Sequence, residues 1–262
     1  MLISVLIISA TMVSIASNFF RTSPIIKLMS DAAFKASKRL IRDFGEVERL
    51  EVSRKSVRDF VSSADLKSEQ TIIHELLGAR PNFSILSEES GKIEGKEAND
   101  CFVIDPLDGT INFLRGIQSW CISIAYVSNG VTQAGIVYDP LKNEMFLAEK
   151  GKGAFLNGRR IRASRLKELE DSLVVSSRLE QDKLGKISDA CVGIRKIGSI
   201  ALSLCYTAAG HFDAFVSNKN LKKWDIAAGT LIAQEAGCAL RTANNYIVSN
   251  VDLIEKFDNL LK

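Results

Sequence analysis

The sequence predicts a layered protein of mixed α/β (α+β) class, and three observations carry that prediction. Helical spacing of apolar residues opens the chain, short strands joined by tight turns fill its middle, and helices alternate with strands towards its end. The composition suits such a fold. Of 262 residues, 46% are hydrophobic and 25% charged, a globular balance that excludes a disordered, collagen-like or coiled-coil chain. The 34 Lys+Arg against 31 Asp+Glu leave a formal charge of +3, too balanced to argue for nucleic-acid binding.

Met1 to Phe20 contain no charged side chain, and Arg21 is the first. The run meets the length of a membrane span, roughly 20 residues, and Ala16-Ser17 offers the small residues of a cleavage point. No Lys or Arg precedes it, and Ser4, Ser9, Thr11, Ser14, Ser17 and Asn18 dilute it. On composition alone a membrane span, a cleaved leader and an apolar extension all stay open. Ser23 reads as an N-cap and Pro24 as a first-turn residue of a helix whose apolar face runs from Ile25 through Met29, Ala33 and Leu40 to Phe44, with Gly45 as its stop. A second helix is expected from Asp65 to Ala79, ended by Arg80-Pro81.

Phe83–Leu86 and Phe102–Ile104 read as strands that end at carboxylates. A meander follows over Ile122–Val127, Gly135–Tyr138, Glu144–Ala148 and Gly153–Leu156, with turns at Asn129-Gly130, Asp139-Pro140 and Asn157-Gly158. Leu173–Ser176 is a further strand, Ser199–Ala209 a helix, Phe212–Val216 a strand, and Trp224–Ala236 a helix stopped by Gly237. The five cysteines form an odd set without CxxC spacing and sit among apolar or small residues. That fits buried reduced thiols better than a disulfide framework or a zinc site.

The chemistry gathers where strands end. Ser87-Glu88-Glu89-Ser90 follows one strand, Asp105-Pro106-Leu107-Asp108-Gly109-Thr110 another, and Asp225 opens a late helix. Carboxylates at strand ends face the crevice where ligands bind, and hard oxygen donors without His or Cys suit Mg²⁺. Pro106 would sharpen a turn that brings Asp105 and Asp108 to one side, and Gly109 with Thr110 would open a short helix over Thr110–Leu114. Each feature also has a plain reading: a generic turn, a solvated loop at Glu88-Glu89, a helix cap at Asp225. Two histidines and no Gly-x-Ser-x-Gly argue against a Ser-His-Asp hydrolase.

Asp105-Pro-Leu-Asp-Gly-Thr-Ile-Asn-Phe113 and Lys223-Trp-Asp-Ile-Ala-Ala-Gly229 resemble the two signatures of the inositol monophosphatase family. Ser62-Ser-Ala-Asp65, Ser87-Glu-Glu-Ser90, Gly135-Ile-Val-Tyr138, Gly151-Lys-Gly-Ala-Phe-Leu-Asn-Gly158 and Ile197-Gly-Ser199 follow the family's order. The resemblance spans about Ser23 to Asn250 and is nearest the bacterial, SuhB-type branch, so it implies that residues 1–18 are an uncharged apolar extension and 19–262 a single domain. It implies a layered αβαβα sandwich of the inositol monophosphatase and fructose-bisphosphatase type, a homodimer, and a lithium-sensitive phosphatase with two or three Mg²⁺ ions per site. The implied reaction is hydrolysis of a small phosphate monoester, such as myo-inositol 1-phosphate or a related polyol phosphate, by in-line attack of a metal-activated water.

The resemblance also implies residue roles. Glu88, Asp105 and the Leu107 carbonyl would bind one metal and Asp105, Asp108 and Asp225 another, with Glu88 shared by a third. Gly109 and Thr110 would hold the phosphate, Thr110 with Asp65 would polarise the water, Lys55 would belong to a loop closing over the metals, and Ser176 would lie near the sugar. Alternatives are a nucleotide, fructose-bisphosphate or NADP phosphatase on the same scaffold, or a regulatory protein with a transcription-machinery partner. A cytoplasmic location without direct nucleic-acid or membrane partners is expected. The family's inositol-contacting glutamate is replaced near Ser217 or Asn218. Lys219, Lys222 and Lys223 beside it read as a solvated basic loop, or as a preference for a more anionic substrate.

Overall fold

The structure is a computed structural model that describes residues 23–46, 52–56 and 59–262, with the backbone alone at 52–56, 59–61 and 98. The expected extension over residues 1–18 lies outside the described residues. Helix α1 spans Pro24–Phe44, with the Ile26 N–H donating to the Ser23 hydroxyl at 3.4 Å. It ends at Gly45 with φ −73°, so the stop uses no left-handed turn. Strands β1 (Val52–Ser56) and β2 (Asp59–Ser62) form a small antiparallel ladder. Helix α2 covers Ser63–Ala79, starting two residues before the expected Asp65, because Ser62 caps it and the Asp65 carboxylate accepts the Ser62 N–H at 2.9 Å. That reciprocal cap fixes where Asp65 sits.

The meander forms as expected and extends into a large sheet. Strands β3 (Phe83–Ser87), β4 (Gly91–Ile93), β5 (Glu97–Asp108), β6 (Cys121–Ser128), β7 (Val131–Asp139), β8 (Glu144–Glu149), β9 (Gly153–Leu156) and β10 (Arg159–Arg160) lie in the order β10-β9-β8-β7-β6-β5-β3-β4. Only the β3–β5 pair is parallel among them. Helix α3 (Thr110–Leu114) leaves the end of β5. A second sheet takes β11 (Leu173–Ser177), β12 (Gly193–Arg195), β13 (Ala214–Ser217), β14 (Ala239–Arg241) and β15 (Tyr246–Ser249) in the order β12-β11-β13-β15-β14. Helices α4 (Gln181–Ala190), α5 (Ile200–Ala208), α6 (Lys223–Glu235) and α7 (Ile254–Leu260) complete the described chain.

Strand alternation sorts these elements into five layers. Phe102, Ile104, Ile122, Ile124, Ile136 and Tyr138 pack on one face of the large sheet with Met29, Ala33 and Leu40 of α1 and Ile72 and Leu76 of α2. Their neighbours Val103, Cys121, Ala125 and Val137 face the other way, onto α5 and α6. The small sheet repeats the logic. Val175, Phe215 and Val248 join that same middle core, whereas Val174, Val216 and Ile247 face outward onto Ile187 of α4 and Phe257 of α7. The result is the αβαβα sandwich that the family resemblance implies.

Two differences from the expected elements bear on the site. β5 is twelve residues long, not a short Phe102–Ile104 strand, because its polar first half is still paired. Its end is also not a turn. The strand runs through Pro106 to Asp108 with a bulge against β6: Asp105 pairs with Ser123 and Asp108 with Cys121, three steps facing two. In a regular strand residues i and i+3 point to opposite faces; one extra residue restores the parity, so both carboxylates reach the same side. Pro106 is tolerated there because a bulge leaves its position outside the ladder.

Candidate active site

The cavity lies where the C-terminal end of β5 meets the end of β11 and the N-termini of α5 and α6. Its volume is about 240 Å³, and Glu88, Asp105, Leu107, Asp108, Gly109, Thr110, Ser177, Arg178, Gly198, Ile200 and Asp225 are among the residues lining it. The first six lie in β5 or directly beyond β3 and β5 of the large sheet, and elements of the second half supply the rest.

Local hydrogen bonds orient the three aspartates. Asp105 Oδ1 accepts the Leu107 N–H at 3.0 Å across the bulge. Asp108 Oδ2 accepts the Ser199 hydroxyl at 2.5 Å and the Ala201 N–H at 2.7 Å, which pins it to the start of α5. Asp225, in the first turn of α6, accepts the Lys222 N–H at 3.3 Å and lies 3.7 Å from the Arg178 guanidinium. Lys222, not Asp225, is therefore the N-cap residue; Asp225 is the third residue of the helix, bonds back to that cap and also faces the cavity. The Thr110 hydroxyl lies 3.1 Å from both Asp65 Oδ1 and the Leu107 carbonyl oxygen, the two acceptors available to its proton. Gly109 enters α3 at φ +98°, a left-handed conformation, and a Cβ there would sit 2.9 Å from the Ser119 carbonyl oxygen.

Four carboxylates thus share one cavity with one guanidinium. Burial first, then the charges of Glu88, Asp108 and Asp225, push Asp105 well above the usual carboxylate range. Burial raises Asp108 against the opposing hydrogen bond from Ser199. Burial and Asp108 raise Asp225 to about 6, with Arg178 pulling the other way. Asp65, also buried, is raised, and its bonds to Ser62 hold it back. Repulsion of this kind is what a bound cation relieves.

Among the described residues no three His, Cys, Asp or Glu side chains are gathered closely enough to hold a metal ion by themselves. Oδ2 of Asp108 is bonded to the start of α5, and Oδ2 of Asp225 to the Lys222 N–H beside Arg178. Mg²⁺ does not need such a cage, since it keeps several waters and uses few carboxylates with substrate phosphate. An all-oxygen, negatively charged, partly open donor set fits that ion.

The family model for the inositol monophosphatase family matches residues 21–256. The chain belongs to the inositol monophosphatase family. Its similarity to an inositol-1-monophosphatase of Rhizobium meliloti is 42% identity over 82% of this chain and 84% of that protein. A protein named Nus factor SuhB, of Pasteurella multocida, is 36% identical over 87% of this chain and 89% of its own length. The crystal structure of the extragenic suppressor protein suhB of Bartonella henselae superposes with a TM-score of 0.88 at 41% identity, covering 92% of this chain and 99% of that one. An IMPase/NADP phosphatase crystallised with Mg²⁺ and phosphate superposes with a TM-score of 0.80 at 25% identity, covering 91% and 95%.

The cavity brings together the expected family residues Glu88, Asp105, Leu107, Asp108, Gly109, Thr110 and Asp225. Asp65 stands one hydrogen bond behind Thr110 and is 1% exposed. Ser176 does not line the cavity. It is buried inside the ladder opposite Val216, and Ser177, the last paired residue, takes the wall instead. The side chain of Lys55 lies outside the described residues, although its backbone belongs to β1. Ser217 is buried, and Lys219, Lys222 and Lys223 do not line the cavity; Lys219 donates to the Ala243 carbonyl at 3.3 Å. The basic run thus lies outside the cavity, with Lys219 in the preceding loop and Lys222 and Lys223 at the start of α6.

Sequence reasoning gave no role to Ser199, Gly198 or Arg178. The first two had a signal in Ile197-Gly-Ser199, since Gly198 is left-handed at φ +83° with Asn112 packed where a Cβ would be. Arg178 had no such signal.

Proposed function

We propose that the chain is a Mg²⁺-dependent phosphatase acting on a small phosphate monoester, with myo-inositol 1-phosphate or a related polyol phosphate as substrate. The observation that carries this reading is the single cavity in which Glu88, Asp105, Asp108 and Asp225 face Thr110, itself hydrogen bonded to Asp65. Glu88, Asp105, Asp108, Asp225 and the Leu107 carbonyl would hold the metal. Mg²⁺, when bound, supplies a Lewis acid that offsets phosphoryl charge and acidifies a coordinated water.

The chain's own groups do the rest. The backbone N–H groups at Gly109 and Thr110, which no side chain caps, would hold phosphate oxygens. When Thr110 donates to Asp65, its oxygen is free to accept a hydrogen bond from the attacking water, which positions that water. Asp65, fixed by the Ser62 N–H and hydroxyl, holds the Thr110 hydroxyl in that orientation. The reciprocal cap of α2 thereby sets the water's direction of approach.

Phosphate release from a panel of monoesters, with and without Mg²⁺ and with added Li⁺, tests the reading. Mg²⁺-dependent release from myo-inositol 1-phosphate, suppressed by Li⁺, is expected; no Mg²⁺-dependent release from any ester would overturn it. The relative named as a Nus factor supports a second role through transcription-machinery partners. An Asp105→Asn chain that fully rescued a deletion strain would make that second role the physiological one.

A further inference from the structure

Four non-glycine residues among those described have a left-handed backbone: Asn129, Asn143, Asn157 and Arg178. Asparagine adopts that conformation readily, and all three lie in turns between strands of the large sheet. Arg178, at φ +48°, has no such excuse. It is the first residue beyond β11, held between Ser177, paired with Ser217, and the buried Leu179. Those two anchors impose the conformation, and it carries the arginine to the cavity wall.

The side chain is half exposed and lies 3.7 Å from Asp225 Oδ2, an ion-pair distance beyond hydrogen-bond range. Asp225 is buried while the arginine end stays half exposed, so at this distance the contact offsets charge without tying up the guanidinium's donors. Among the described residues, Arg178 is also the only cationic one lining a cavity that otherwise holds four carboxylates. A guanidinium presents a planar fork of donors that matches a phosphate. It enters from the second sheet, whereas Gly109 and Thr110, the phosphate-holding groups of the proposed reaction, enter from the first.

We propose that Arg178 is a specificity-determining residue that favours substrates carrying a second phosphate in addition to the ester being cleaved. The proposal rests on the phosphatase reading above. It is tested with two esters that differ only in that group, fructose 1-phosphate and fructose 1,6-bisphosphate, with myo-inositol 1-phosphate as a reference. Asparagine keeps the left-handed backbone at low cost and removes the charge, so Arg178→Asn is the informative variant. The native chain is expected to favour the bisphosphate over the monophosphate in kcat/KM, and Arg178→Asn to cut that ratio by about tenfold or more, the size of a lost charge-assisted hydrogen bond. Arg178→Lys is expected to keep part of the preference.

An equal fall for both esters would overturn the proposal, because Arg178 would then act on the scissile phosphate or on Asp225. A native chain that cleaves myo-inositol 1-phosphate but shows no preference for the bisphosphate would overturn it too. Absence of Mg²⁺-dependent release from all three esters would overturn the phosphatase reading instead.

Discussion

Asp105 shows how much of this site rests on single residues. It is 2% exposed, and burial with three neighbouring carboxylates holds its acid well above the ordinary range. Ionising it in the metal-free chain is therefore costly, and an amide of the same shape removes that cost. Asp105→Asn should lower Mg²⁺-dependent phosphate release by two orders of magnitude or more, roughly the effect of losing one essential electrostatic group. The same variant, freed of metal at pH 7.5, should melt at or above the temperature of the native chain. A lower melting temperature with near-normal turnover would sink the metal assignment. Most of these residues were legible because a short motif keeps them adjacent. Ser176 and Arg178 were misplaced or missed for one reason: a cavity at a strand end is reached by the last paired residue and the one beyond, and the sequence does not mark where pairing stops.

At the scale of elements, Ser199 is the most informative joint. Its hydroxyl accepts the Leu202 N–H at 3.1 Å as the N-cap of α5 and donates to Asp108. Ser199→Ala should cost about 1 kcal/mol through the lost cap, read as a lower denaturant midpoint at unchanged slope. It should also weaken Mg²⁺ binding by isothermal titration, because Asp108 loses a positioning donor; Ser199→Thr should restore both. Restoration of stability alone would confine Ser199 to capping. The elements legible in the sequence were those with strong periodicity, such as α1 and the meander. Helix α4 was not, since Ile187 is its single buried residue and Gly185 interrupts it. The first half of β5 escaped notice because Glu97, Asn99 and Asp100 give it no apolar alternation.

The whole molecule places the cavity between its two halves, so a ligand there ties them together. Asp105, Asp108 and Asp225 all have acids raised by folding, Asp225 to about 6. The folded, metal-free chain then binds more protons than the unfolded one, and its stability falls as pH rises from about 4 through 6 and above. Thermal melts from pH 4.5 to 8 in a chelator should show that decline, and saturating Mg²⁺ should flatten it while raising the melting temperature at the upper end. A metal-free profile that rises across this range would contradict the carboxylate cluster. The layered order was legible only through the family's motifs, because periodicity sorts faces but does not say which sheet a face meets.

The bulge in β5 bears on how such a site can change by gain or loss of codons. A hairpin turn such as Asn129-Gly130 absorbs an added residue as a longer loop. Between Asp105 and Asp108, one residue gained forces either a second bulge or a change of face for one carboxylate. One residue lost closes the ladder, keeps the faces, and removes the spacing that puts the Leu107 carbonyl under Thr110. A chain lacking Leu107 should keep its native far-ultraviolet circular dichroism and release no phosphate. The irregular stretch is thus a place where a tidier sheet would be a dead enzyme.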